Sequence, residues 1–266
     1  MYRLWILAFA PLLFLLGTPN AAAAAPRPHG ALIKVKAPNQ SLNWSGYNQG
    51  ALEKGKTFHE ISATWQVPTA TSAQKGQNQY SATWVGIGGG CVDASCLVGD
   101  ATLIQAGTEQ DVDSSGQASY FTWWELIPAP SVQAPVAVSP GDTVHVDIAE
   151  GAPEVWTITI QNLTTHQSWS QTQPYTSSYA TAEWIEETPL VIDGSGNFLA
   201  LLPRLSTVHF DHATADAAPA ALVSSEEIQL VSSNGHPLAT PSAPDPDADG
   251  FNDCTYASKC PAPKSS

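Results

Sequence analysis

Cationic side chains are scarce in this sequence, with 10 Lys and Arg against 24 Asp and Glu and a formal charge of −14 at pH 7. No basic face is left to neutralise phosphates or dock on an anionic membrane, which excludes nucleic acid as a partner. Charged residues make up 13% of the chain, well below the usual quarter, while 43% is hydrophobic, enough for a sizeable core. G-x-S-x-G is absent, so there is no nucleophile elbow; H-E-x-x-H is absent too, so no zinc-protease motif. His59, His145, His166, His209, His212 and His236 are scattered, without a serine motif to complete a triad. No stretch carries a sustained helical stripe.

What is present begins with a leader. Arg3 precedes the apolar run Leu4 to Gly17, and Ala21 to Ala25 supplies small residues suited to signal-peptidase cleavage. The run is shorter than the ~20 residues needed to span a bilayer, and Pro11 interrupts it. Residues 1–25 therefore read as a secretory signal, predicting an extracellular protein with no membrane segment in its mature form. Four cysteines suit an oxidising compartment, and Cys91 with Cys96 and Cys254 with Cys260 are the pairings that need least of the fold. Their intervals and the lack of neighbouring His argue against zinc.

Residues 26–42 read as a linker or short pro-segment, with Pro26, Pro28 and Pro38 and no apolar period. From Asn43 the pattern is period two. Ile61, Ala63, Trp65 and Val67 alternate with Ser62, Thr64 and Gln66, and similar runs recur to Val231. Ten or more such runs between Gly, Pro, Asn and Ser turns predict an all-β antiparallel sandwich or barrel over residues 43–232. Residues 233–266 are rich in Pro and Asp and are expected to lie outside it. Within that tail, Asp245, Asp247, Asp249, Gly250 and Asp253 spell D-x-D-x-D-G-x-x-D. The spacing matches calcium loops, but the twelfth-position Glu of an EF-hand is missing and a solvated acidic tail is the plainer reading. No metal ligand is assigned.

Polar residues embedded in apolar strands carry the chemical signal. Gln105 shares a face with Leu103, Glu183 with Thr181 and Ile185, and Glu125 with Phe121 and Trp123. Taken singly, each reads as a solvent-facing strand residue. The blocks Asn43-Trp44-Ser45-Gly46, Thr83-Trp84-Val85-Gly86-Ile87, Ile104-Gln105-Ala106-Gly107, Trp123-Trp124-Glu125-Leu126-Ile127-Pro128, Asn162-Leu163-Thr164-Thr165 and Ala182-Glu183-Trp184-Ile185, in this order, resemble the signature blocks of the glutamic peptidases, the eqolisins.

The resemblance implies a secreted, pepstatin-insensitive acid endopeptidase, built as a sandwich of two curved antiparallel sheets of concanavalin A-like or jelly-roll type. It places the family's catalytic pair on Gln105 and Glu183, with Trp84 as a cleft wall and Glu125 as a hydrogen-bond partner. Gly88 and Glu109 stand where family members often have Asp. Protein or peptide substrates, no cofactor and a monomer are expected. The alternative is a lectin-like module or glycosidase, with Tyr80, Trp84, Tyr120 and Trp123 stacking on sugars, or with Glu125 and Glu183 as a carboxylate pair.

Overall fold

The computed structural model describes residues 32–93, 95–193 and 196–264. The expected leader and the start of the linker lie outside them. Alternating apolar residues, many β-branched or aromatic, build the main strands: β1 (Trp44–Gly50), β2 (Glu60–Gln66), β3 (Ala82–Gly88), β4 (Leu103–Val112), β5 (Ala118–Leu126), β6 (Thr143–Ala152), β7 (Val155–Asn162), β8 (Gln167–Pro174), β9 (Thr181–Glu187), β10 (Val208–Ala215), β11 (Glu227–Val231), β12 (Pro237–Pro241) and β13 (Phe251–Thr255). Among the described residues, helix is confined to Ala51–Lys54 and the 3-10 turn Ser224–Glu226. No helix there is long and apolar enough to cross a membrane.

Two antiparallel layers form. The front layer runs β11-β1-β9-β3-β4-β5. The back layer runs β8-β7-β6-β2-β10-β13-β12 and joins the front through β11. Between them packs the main core, including Trp65, Val85, Ile104, Ala106, Ile148, Trp156, Trp184, Phe210 and Phe251, all at most 1% exposed. The back layer keeps the predicted alternation, as in the buried Trp156, Ile158 and Ile160 of β7 between more exposed neighbours. The front layer does not: every residue of β1, β3, β4 and β9 is buried.

Both local disulfides, Cys91–Cys96 and Cys254–Cys260, are formed. The boundaries drawn from the sequence need correction at each end. Val35–Ala37 pairs with Gln40–Ser41, and the latter joins β11 in parallel, so part of the supposed linker belongs to the sheet. The supposed tail supplies β12 and β13, with Ala239, Phe251 and Asp253 fully buried. Its few apolar residues sit in five-residue strands, too short to stand out among Pro and Asp. The Asp-rich stretch is the turn between them. Asp245 is buried and accepts hydrogen bonds from the backbone of Asp249 and Gly250, both at 3.2 Å, which fixes that turn. One ligand atom from each of Asp245, Asp247 and Asp249 lies within 4.8 Å of the others, and Asp211, His212 and Asp249 form a second such group.

Candidate active site

Strand register assembles the site. Asn48 of β1 lies opposite Glu183 of β9, Glu183 opposite Gly86 of β3, Gly86 opposite Gln105 of β4, and Gln105 opposite Glu125 of β5. Residues paired in this way point to one face, so all five form a row on the side of the front layer turned away from the main core. Gly86 contributes no side chain. Glu183 and Gln105 therefore flank a lane that has no side chain of its own, their backbones roughly 9–10 Å apart at ~4.8 Å per strand. The lane is narrow: a Cβ at Gly86 would come within 3.0 Å of Ile104 O, Leu103 Cδ1 and Trp84 Cζ3.

Every member of the row is buried, with Gln105 and Glu183 at 0% exposure and Glu125 at 1%. The solvent-facing reading of these three residues is thus wrong, because segments close over this face as well. Ile33 packs on its apolar part, formed by Trp44, Ala82, Trp84, Leu103, Trp123 and Ile185. The Tyr175 hydroxyl accepts from Leu103 N at 2.7 Å and donates to Ile127 O at 3.1 Å. The loop after β3 crosses beside Glu183, so close that a Cβ on Gly90 would strike Asn48 Oδ1 and Glu183 Oε1. Asn48 holds that loop down, accepting from Cys91 N at 2.6 Å and donating to Cys91 O at 2.9 Å.

The row is polarised along its length. Gln105 donates through Nε2 to Glu125 Oε2 at 2.7 Å. An acceptor there selects the amide orientation, leaving the second N–H and the Oε1 lone pairs for other partners. Neither oxygen of Glu183 meets a donor at bonding geometry among the described residues. Burial pushes its carboxyl well above the usual range and the nearby Asp100 adds to the rise, while the Thr181 hydroxyl pulls the other way. Glu187, two positions further on the same face, is also raised, by burial first and then by the charge of Glu125.

Trp84 is fully buried and meets Trp44 edge-on at 5.0 Å, and its indole N–H donates to Glu187 Oε2 at 2.9 Å. It floors the face beside Gly86. Sequence reasoning missed Asn48, Asp100 and Glu187. Alternation from Glu183 reaches Glu187 directly, whereas Asn48 and Asp100 enter through pairings and loop contacts that no local pattern displays. The carbohydrate alternative loses its platform here, because Tyr120 packs against the main core while Trp123 lies on the opposite face. Glu125 and Glu183 are three strands apart, with Gln105 between them.

An all-β sandwich with a carboxylate and an amide on neighbouring sides of a glycine lane defines the class. The sequence matches the description of the peptidase A4 family over residues 42–248, and the chain belongs to that family, the eqolisins. It is similar to scytalidopepsin B of Scytalidium lignicola, 27% identical over 140 residues, covering 52% of this chain and 47% of the relative. Aspergillopepsin-2 of Aspergillus niger is 24% identical over 199 residues, 66% of this chain and 64% of the relative. The matched part thus spans between about half and two thirds of these relatives' length. Among solved structures, scytalido-glutamic peptidase with a peptide-based transition-state analog aligns with a TM-score of 0.59 at 21% identity, covering 80% of this chain and 98% of that one. Aspergilloglutamic peptidase from Aspergillus niger aligns at 0.51 and 24%, covering 66% and 99%. These likenesses show a shared sandwich fold.

Proposed function

We propose that this chain is a secreted, monomeric acid endopeptidase that hydrolyses peptide bonds in protein substrates with Glu183 and Gln105 and is insensitive to pepstatin. The observation that carries the reading is the row itself: a carboxylate and an amide flanking side-chain-free Gly86, with Glu125 fixing the amide. Family membership supports a peptidase over a sugar-binding protein, and the apolar run in residues 1–25 supports export.

Peptide hydrolysis needs a base for water, a donor for the developing oxyanion and an acid for the leaving amine. Ionised Glu183 takes the proton from a water held in the lane, and that water's oxygen attacks the carbonyl carbon. Gln105 donates its free N–H to the carbonyl oxygen as negative charge develops there. Glu183 then returns the proton to the leaving nitrogen as the C–N bond breaks. Glu183 acts from its ionised form, which its burial makes the minor one in acid, so the pH range of cleavage bears directly on its role as base.

Digestion of denatured haemoglobin or casein from pH 2 to 8, with pepstatin present, tests the reading. Cleavage confined to acid pH and lost in Glu183→Gln is the expected result; sugar binding without cleavage would overturn it.

A further inference from the structure

Asp100 is 4% exposed and stands at the end of the loop closed by the Cys91–Cys96 disulfide. Its Oδ1 accepts from Thr102 N at 2.9 Å and from Thr102 Oγ1 at 3.0 Å, and its Oδ2 accepts from the Ser178 hydroxyl. Ser178 lies in the segment that leads into β9, three residues before Thr181. On the other side, Asp100 N donates to Gly90 O at 2.9 Å, and Gly90 N reaches Thr181 Oγ1 at 3.3 Å. One residue therefore ties together the loop pressed on Glu183, through its backbone N–H, and the entry to the strand that carries Glu183, through its carboxylate.

We propose that Asp100 is a positioning residue for Glu183, clamping the disulfide loop over the row and coupling its own charge to the proton on the catalytic carboxylate. The inference rests on Glu183 being the base. Structure gives the coupling a direction: Asp100 is the charged group that raises Glu183, after burial. The other groups facing Glu183 are neutral Asn48 from β1 and Gln105 from β4, with Glu125 beyond it on β5 and Glu187 along β9 itself. The Tyr175 hydroxyl senses both Asp100 and Glu125. No cation stands among them in the described residues.

The test is the pH profile of kcat/KM for Asp100→Asn, which keeps shape and most hydrogen bonds while removing the charge. Without a neighbouring negative charge Glu183 ionises more readily, so the acid limb should move to lower pH by about half a unit to one unit. Turnover on the plateau should stay within about tenfold of wild type, because no group that touches substrate is changed. Asp100→Ala, which removes the carboxylate's bonds to Thr102 and Ser178 while leaving the backbone bond to Gly90, should lower kcat far more than it raises KM. Carbon-13 NMR titration of Glu183 in the intact protein reads the same shift without catalysis. An Asp100→Asn acid limb and Glu183 titration that coincide with wild type would overturn the inference while leaving the base assignment intact. Undiminished cleavage by Glu183→Gln would instead remove the functional reading beneath it.

Discussion

The two faces of β9 carry carboxylates buried to the same extent but set in different company. Glu183 and Glu187 point away from the main core, and Glu186 points into it; all three are 0% exposed and raised well above the usual carboxyl range, by burial first. Glu186 receives the Thr83 hydroxyl at 2.6 Å and has Asp253 of the back layer within electrostatic reach. Glu183 has instead Gly86 and Gly90 on either side and the Gln105 amide across the lane. Burial and perturbed protonation alone therefore do not mark a catalytic acid. What sets Glu183 apart is a side-chain-free strand position beside it, together with the fixed Gln105 amide on the far side of that position.

The sharpest way to break the comparison is to neutralise each face in turn. Glu183→Gln keeps size and hydrogen bonding but removes the base, so cleavage of denatured protein should fall to background while the melting temperature at pH 4 holds or rises. Glu186→Gln, three residues away, should leave turnover at pH 4 within about twofold, since it touches no reacting group. If both substitutions abolished cleavage in folded protein, the two faces would not be functionally distinct.

Removing the donor is the next largest effect. Gln105→Ala should lower turnover by about 100- to 1,000-fold, the usual scale for one oxyanion donor. Glu125→Gln should cost less, because Gln105 keeps its place in the sheet and loses only the acceptor that orients its amide. Turnover numbers for the two variants, measured at one acid pH with folding checked by circular dichroism, decide the order. A Glu125→Gln defect larger than that of Gln105→Ala would move Glu125 from an orienting role to the chemistry.

How much of this was legible beforehand differs by layer. The back layer's alternating strands could be read from period two, because one face of each is wetter than the other. The front layer carries the same period but is covered on both sides, so the pattern named the faces correctly and assigned one of them to solvent wrongly. Gln105, Glu125 and Glu183 stood out as polar residues in apolar strands. Their alignment through Gly86 depends on which strands pair, and β9 lies between β1 and β3, more than 90 positions earlier in the chain. Pairing over such separations leaves no local trace. β12 and β13 escaped notice for a related reason: Phe251 and Ala239 lie in five-residue strands with few apolar neighbours, and their burial is decided by the strands beside them.

The last contrast concerns stability and should leave turnover untouched. Asp253 of β13 is fully buried in the core beside Ser45, and burial raises its carboxyl from 3.8 to about 7. As pH rises above about 4 the unfolded chain loses this proton first. The folded state keeps it until about pH 7. Its contribution to stability is therefore complete below about pH 4 and is lost as pH climbs through about 7. At 1.36 kcal/mol per tenfold change in proton affinity, the loss is on the order of 4 kcal/mol. Glu186 and Glu187 are raised in the same direction and steepen the decline. Few ion pairs oppose it, because between Lys75 and Arg204 the chain has 14 Asp and Glu and no Lys or Arg. Wild-type protein should thus melt highest near pH 3 to 4 and progressively lower toward pH 8. Asp253→Asn keeps the shape but cannot ionise, so its melting temperature should fall less between pH 4 and 7, by roughly 8 to 16 °C at about 2–4 °C per kcal/mol. Its turnover at pH 4 should match wild type. Parallel melting curves for the two proteins across that range would show that Asp253 is not a source of the pH dependence.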